Sequence, residues 1–149
     1  MTQAVAFDMD DTLLRDDRTI SPYTIQVLRC AHAQGIHVIP ASGRARDSMR
    51  PFVEQLGCAS CYIACNGAEL WSSNHQLLHR ETLDVALIHE IAAFAEAHQC
   101  YAQVYYGAKF YYSMHCVYAD QYAASSMLEG EYVGDLTQYV KEPTTKVLM

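Results

Sequence analysis

Apolar positions along this chain follow two patterns. Short unbroken apolar runs at residues 3–7, at 36–39 and at the opening of "CYIACNGAEL" have the make-up of buried strands. Stretches with helical spacing lie between them. Ser21 is placed to cap a helix with Pro22 at its first position, Ile25, Leu28, Cys30 and Ala31 on its apolar stripe, and Gly35 as its stop. A second helix is predicted between residues 44 and 56, stopped by Gly57, with Pro51 as a kink or as its true start. Strands alternating with helices over about 65 residues predict a parallel sheet wrapped by helices, an α/β arrangement. Such sheets bind ligands beyond the carboxyl ends of their strands. The three predicted strand ends fall at residues 8–11, 41–44 and 66–68, all polar or small.

After Ala68 the pattern changes. Leu70, Trp71, Leu77 and Leu78 flank "SSNH" and predict a hairpin, while residues 84–98 carry Val85, Ile88, Ile91, Phe94 and Ala95 on one helical stripe. Two Tyr-rich runs around Gly107 predict a second hairpin, followed by a helix near residues 119–128, a polar segment, and a final "KVLM" that reads as the opening of a strand. The change of pattern predicts two units, residues 1–80 and 81–149, the second of α+β type.

Composition narrows the function. The 149 residues suffice for a real core, and a charged fraction of 18% beside 51% hydrophobic residues fits a folded domain. A net charge of −7, with only 10 Lys and Arg in no block, argues against nucleic acid as a partner. No apolar run reaches the roughly 18–20 residues that span a bilayer, and the N-terminus lacks a basic-then-apolar leader, so a cytoplasmic location is expected. Six cysteines without such a leader are expected as reduced thiols. Cys58, Cys61 and Cys65 have no second Cys-x-x-Cys to complete a zinc set, and two of them fall on or beside a strand, which favours burial over metal or redox use. The histidines are scattered, and the seven tyrosines between 101 and 122 are read as packing and cross-strand pairs more than as a sugar or ring pocket.

The acids of "AVAFDMDDTLL" are the strongest chemical signal. In a segment leaving a strand extended, residues two apart point the same way, so Asp8 and Asp10 face a common space and Asp11 does not. Two carboxylates sharing a site call for a divalent cation or a retained proton. With Mg²⁺ to offset charge, one such carboxylate can attack phosphorus while the other moves a proton. A capped acidic turn is the plain alternative for "DxD" taken alone.

"FDMDDTLL" resembles the first motif of the haloacid dehalogenase (HAD) superfamily of phosphatases. "ASGR" is similar to its second motif, and "CNGAEL" to the Asn-Gly-Ala turn of its Cof-type branch. The resemblance implies the N-terminal half of a Rossmann-like core, followed by the first portion of an α+β cap that closes over the site and selects substrate. It implies Asp8 as a nucleophile that becomes an aspartyl phosphate and Asp10 as general acid and base. Mg²⁺ would sit on an Asp8 carboxylate oxygen and the Asp10 carbonyl. Ser42 would hold a phosphoryl oxygen, Gly43 would allow close backbone approach, and Thr12 would support the loop. Arg44 either reaches the substrate's phosphate or pairs with a nearby acid. Asn66 is a further candidate for substrate binding, although an Asn-Gly turn is favoured for its backbone geometry alone.

The implied activity is Mg²⁺-dependent hydrolysis of small phosphorylated metabolites such as sugar phosphates. A phosphomutase using the same aspartate, or a non-catalytic remnant that binds a partner or ligand, are the alternatives. The family's third-motif lysine and its fourth, Gly-Asp acidic motif are expected after the cap. Lys141 and Lys146 lie too early to serve, so the chain is expected to stop inside the cap, to be weakly active or inactive, and to self-associate through an exposed sheet edge.

Overall fold

The computed structural model describes residues 2–149, which divide into two compact units, the first ending at Arg80 and the second running from Glu81 to Met149. In the first, β1 (Ala4–Asp8), β2 (His37–Ala41), β3 (Cys61–Ala64), β4 (Glu69–Ser72) and β5 (Leu77–Arg80) form one sheet in that spatial order. The first three strands run parallel, β4 turns back antiparallel to β3, and β5 returns antiparallel to β4. Helices α1 (Pro22–Ala33) and α2 (Arg46–Leu56) make the crossovers. The predicted parallel α/β layer and the "SSNH" hairpin are therefore both present.

Several details differ from the sequence expectation. β1 is not buried: Ala4, Ala6 and Asp8 are exposed and Val5 and Phe7 only half-buried. It lies at the edge of the sheet, with β2 as its neighbour, so an apolar run alone could not fix its burial. β2 does not stop before Pro40. Pro40 is fully buried within it and stands opposite Phe7. A proline has no N–H to give to a ladder, and β2 registers with β3 through the single pair Ala41↔Ile63. Pro51 neither starts nor breaks α2, which runs through it and ends at Gly57 in the left-handed region (φ 63°). The cap of α1 is as expected, with Ser21 accepting from the Thr24 N–H. Its stripe, however, buries no residue, and Tyr23 is 76% exposed.

In the second unit, α3 (Val85–Ala97) is capped by Asp84, whose side chain accepts from the Leu87 N–H. β6 (Gln103–Tyr106) and β7 (Lys109–Tyr112) form the Tyr-rich hairpin, and α4 (Val117–Ser126) leads to β8 (Glu129–Tyr132), which pairs parallel with β7. A four-residue helix, α5 (Leu136–Tyr139), precedes β9 (Val147–Leu148), which adds antiparallel to β6. The sheet order is β8-β7-β6-β9. α4 starts and ends two residues before its predicted span, because Met127 takes a left-handed conformation (φ 59°) and stops it. β8 and α5 lie in the segment read as merely polar. "EGEY" is an edge strand without an apolar run, and α5 rests on a local cap, Asp135 accepting from the Thr137 N–H.

Alternation along β6 builds two faces. Ala102 and Val104 pack with Ile88, Ala92 and Ala95 of α3 and with Leu136 and Val140. Gln103 and Tyr105 face the other way, where Tyr122 of α4 meets Tyr105 and Phe110 edge-on with centroids 5.8 and 5.1 Å apart. The tyrosines are thus largely packing partners, as cross-strand spacing suggested. Among the described residues no helix is long and apolar enough to cross a membrane.

Candidate active site

Register brings the three strand ends together. Asp8 stands opposite Ala41, and Ala41 opposite Ile63, so the turns that follow β1, β2 and β3 lie side by side. The chain does not leave β1 in the extended form expected. It closes a wide π-type turn over Met9–Leu13, with the Leu14 N–H bonded to the Met9 carbonyl at 2.8 Å. Asp8 caps this turn, its Oδ1 accepting from the Met9 N–H at 2.7 Å. Inside it Asp10 alone keeps extended angles (φ −71°, ψ 136°), while Asp11 is left-handed (φ 54°). Met9, Leu13 and Leu14 are buried and anchor the turn, and Asp8, Asp10, Asp11 and Thr12 are exposed.

The second and third turns are bound to each other through the backbone. The Ser42 N–H donates to the Ile63 carbonyl (2.9 Å), the Asn66 N–H to the Ser42 carbonyl (3.1 Å), and the Cys65 N–H to the Arg44 carbonyl (2.9 Å). Cys65 and Asn66 both sit at positive φ (52° and 56°). Asn adopts this region readily, but a buried Cys there costs strain that these bonds must hold. Ser42 is buried, and its Oγ accepts from the Arg44 N–H at 3.1 Å, which leaves the hydroxyl hydrogen to donate. Gly43 lies beneath Asn66: a Cβ there would come within 2.7 Å of the Asn66 Oδ1. Gly43→Ala is therefore expected to push the exposed Asn66 side chain aside at a stability cost below about 1 kcal/mol. Shifted Asn66 side-chain amide resonances with a nearly unchanged unfolding midpoint would show this, and an unmoved Asn66 would contradict it.

Arg44 grips Asp10. Its Nε donates to the Asp10 Oδ2 at 2.9 Å and its Nη2 to the Asp10 Oδ1 at 2.7 Å, a two-pronged pair. Its Nη1 donates to the Ser48 Oγ at 2.9 Å, and its guanidinium lies 5.7 Å from the centre of the Phe52 ring. The hydrogen bond from Arg44 holds the Asp10 carboxyl below the ordinary carboxylate range, against an opposing effect of burial. A depressed folded-state pKa means that the pair's contribution is complete above pH about 4 and is lost as pH falls through the lowered value. A carbon-13 titration of the Asp10 carboxyl is expected to show a midpoint below that of Asp10 in Arg44→Ala; equal midpoints would count against the pair. Ser48 is the participant that sequence reasoning missed. Its only signal was its place four residues after Arg44, fully buried on α2.

The donors suit a hard cation. A carboxylate at Asp8 and a main-chain carbonyl at Asp10 are the oxygen ligands Mg²⁺ prefers, and an ion that keeps several waters needs few from protein. Among the described residues no group of three His, Cys, Asp or Glu side chains could hold a metal, Cys58, Cys61 and Cys65 included. Burial also pushes the Cys58 and Cys61 thiols up, away from reactivity.

A parallel sheet with polar strand-end turns, continued by an antiparallel hairpin and followed by an α+β unit, is the architecture of HAD-type hydrolases, and solved structures match it. A haloacid dehalogenase-like hydrolase from Bacteroides thetaiotaomicron superposes with a TM-score of 0.85 at 19% identity, over 99% of this chain and 57% of that one. The chain belongs to the haloacid dehalogenase-like hydrolase family, whose profile matches residues 5–149. It is 38% identical over 79 residues to the 5-amino-6-(5-phospho-D-ribitylamino)uracil phosphatase YcsE of Bacillus subtilis, covering 53% of this chain and 32% of that protein. It is 32% identical over 107 residues to the phosphatase YwpJ of the same organism, covering 72% of this chain and 38% of that protein. The matches thus span less than two fifths of either relative.

Proposed function

We propose that this chain carries the nucleophile-bearing part of a phosphatase acting on small phosphorylated metabolites. The observation that carries this reading is the convergence of Asp8, Asp10, Ser42 and Asn66 on three adjoining strand-end turns. The names of the relatives YcsE and YwpJ support phosphatase chemistry. An Asp8 carboxylate oxygen attacks phosphorus, the bond from phosphorus to the ester oxygen breaks, and Asp10, which takes up a proton when the substrate's negative charge beside it offsets the pull of Arg44, gives that proton to the ester oxygen. Asp10 then takes a proton from the water that attacks the aspartyl phosphate, which frees inorganic phosphate and restores Asp8. The Ser42 hydroxyl donates to a phosphoryl oxygen, Gly43 keeps the floor of the site low, and Asn66 lies over it. The Asp8 carboxylate and the Asp10 carbonyl would hold Mg²⁺, which would supply charge neutralisation.

Residues 81–149 are assigned to the first elements of a substrate-selecting cap. The exposed outer edge of β1 makes a second copy of the chain a fitting partner; a monomer by sedimentation at micromolar concentration would remove that part. Phosphoryl transfer depends almost wholly on positioning and charge neutralisation. The test is an acid quench during incubation with p-nitrophenyl phosphate and Mg²⁺, followed by mass mapping. A phosphoryl adduct on the peptide holding Asp8 is expected, whereas turnover with the adduct elsewhere, or with none, would overturn the mechanism.

A further inference from the structure

Arg44 uses nearly every polar group it has to join the three turns. Its carbonyl holds the third turn through the Cys65 N–H, and its own N–H rests on the Ser42 Oγ of the second. Two of its guanidinium nitrogens grip the Asp10 carboxylate in the first turn, and the remaining one bonds to Ser48 on α2. The Arg44 side chain is only 11% exposed, whereas that of Asp10 is 49% exposed. The buried partner is therefore the fixed one, and the exposed carboxylate is held by it. A planar guanidinium engaged through Nε and Nη2 sets both the position and the plane of the carboxylate. With Nη1 on Ser48 and the ring of Phe52 beside it, the guanidinium is turned towards Asp10 and α2.

We propose that Arg44 is a positioning residue that fixes Asp10 for proton transfer, and that it is not a ligand of the substrate's phosphoryl group. This rests on the reading of Asp10 as general acid and base. The consequence is specific to the leaving group. Alkyl phosphates release a strongly basic alkoxide and need the proton from Asp10, whereas p-nitrophenolate leaves with little help. Losing a positioned acid costs on the order of 10²–10⁴-fold where that acid is needed.

The test compares Arg44→Ala, Arg44→Lys and Asp10→Asn on glycerol 3-phosphate and p-nitrophenyl phosphate, at high protein concentration with Mg²⁺. Arg44→Ala is expected to lower the ratio of alkyl to aryl turnover about 100-fold. Asp10→Asn should lower it at least as far, the double variant should add little, and added guanidinium ion should restore part of the ratio in Arg44→Ala. A simple loss of folding would lower both rates and leave the ratio unchanged. An unchanged ratio with KM raised tenfold or more for both esters would make Arg44 a phosphate ligand and overturn the proposal.

A nitrogen-15 spectrum decides independently of turnover. The Arg44 Nε–H resonance should move in Asp10→Asn and stay in place when inorganic phosphate is added; the reverse would overturn the proposal. Asp8→Asn separates the two levels. Wild-type turnover in that variant would sink the aspartyl nucleophile, while its inactivity together with an unchanged ratio in an Arg44→Ala variant whose thermal melt matches the parent would sink this inference alone.

Discussion

Asp8→Asn is expected to abolish phosphate-ester hydrolysis, lowering it about a thousandfold or more, while leaving the fold intact. The substitution removes one thing only. An amide has no anionic oxygen to attack phosphorus, so no acyl phosphate can form. Its carbonyl oxygen still accepts, and Asn caps as well as Asp, so the bond from the Met9 N–H at 2.7 Å survives. Met9, Leu13 and Leu14, which anchor the turn, are untouched. Stability should change by less than about 0.5 kcal/mol. Phosphorus-31 spectra read the turnover and a thermal melt reads the fold. Retained hydrolysis would remove Asp8 from the mechanism, and a collapsed melt would mean that the carboxylate is structural.

Phe110→Ala is expected to cost about 3–5 kcal/mol, enough to threaten the second unit. Phe110 is fully buried on β7, meets Tyr122 edge-on at 5.1 Å and lies 5.9 Å from the Tyr112 ring. Its ring also covers Gly130 of β8 so closely that a Cβ at residue 130 would run into it. Truncation would leave a void between β7 and α4 that neither paired strand can move to fill. The same contact predicts coupling. Gly130→Ala should destabilise the native protein by about 1–3 kcal/mol through overpacking, and much less in the Phe110→Ala background. Denaturant titration followed by near-ultraviolet dichroism of the tyrosines checks both. A loss under about 1.5 kcal/mol for Phe110→Ala, or strictly additive variants, would show that the ring does not hold the unit together.

Much of this was legible in the residues. Pro22 after Ser21, the hairpin around Gly107 and the α3 helix are local signals, and the structure has each where spacing placed it, although α3 buries Ile88, Ala92 and Ala95 and leaves Phe94, read into its stripe, 52% exposed. What failed was non-local. β8 has no apolar run because an edge strand needs none, and "EGEY" is defined by its pairing with β7. β1 looks buried by composition and is not, because burial depends on neighbours. For the candidate site, the acids after β1 and the small residues after β2 stood out as strand ends, while buried Ser48 gave no sign beyond its spacing.

Sequence by itself determined the order of strands and helices as far as α4, the position of the acids at a strand end and the family, since all of these depend on residue type and near spacing. Only the tertiary structure decided which groups meet. Arg44 had two open readings until β1 and β2 registered side by side and set its guanidinium on Asp10, 34 residues away in the chain. An ion pair of that span is a product of sheet register and turn geometry, and neither is written in the local pattern that identifies the elements.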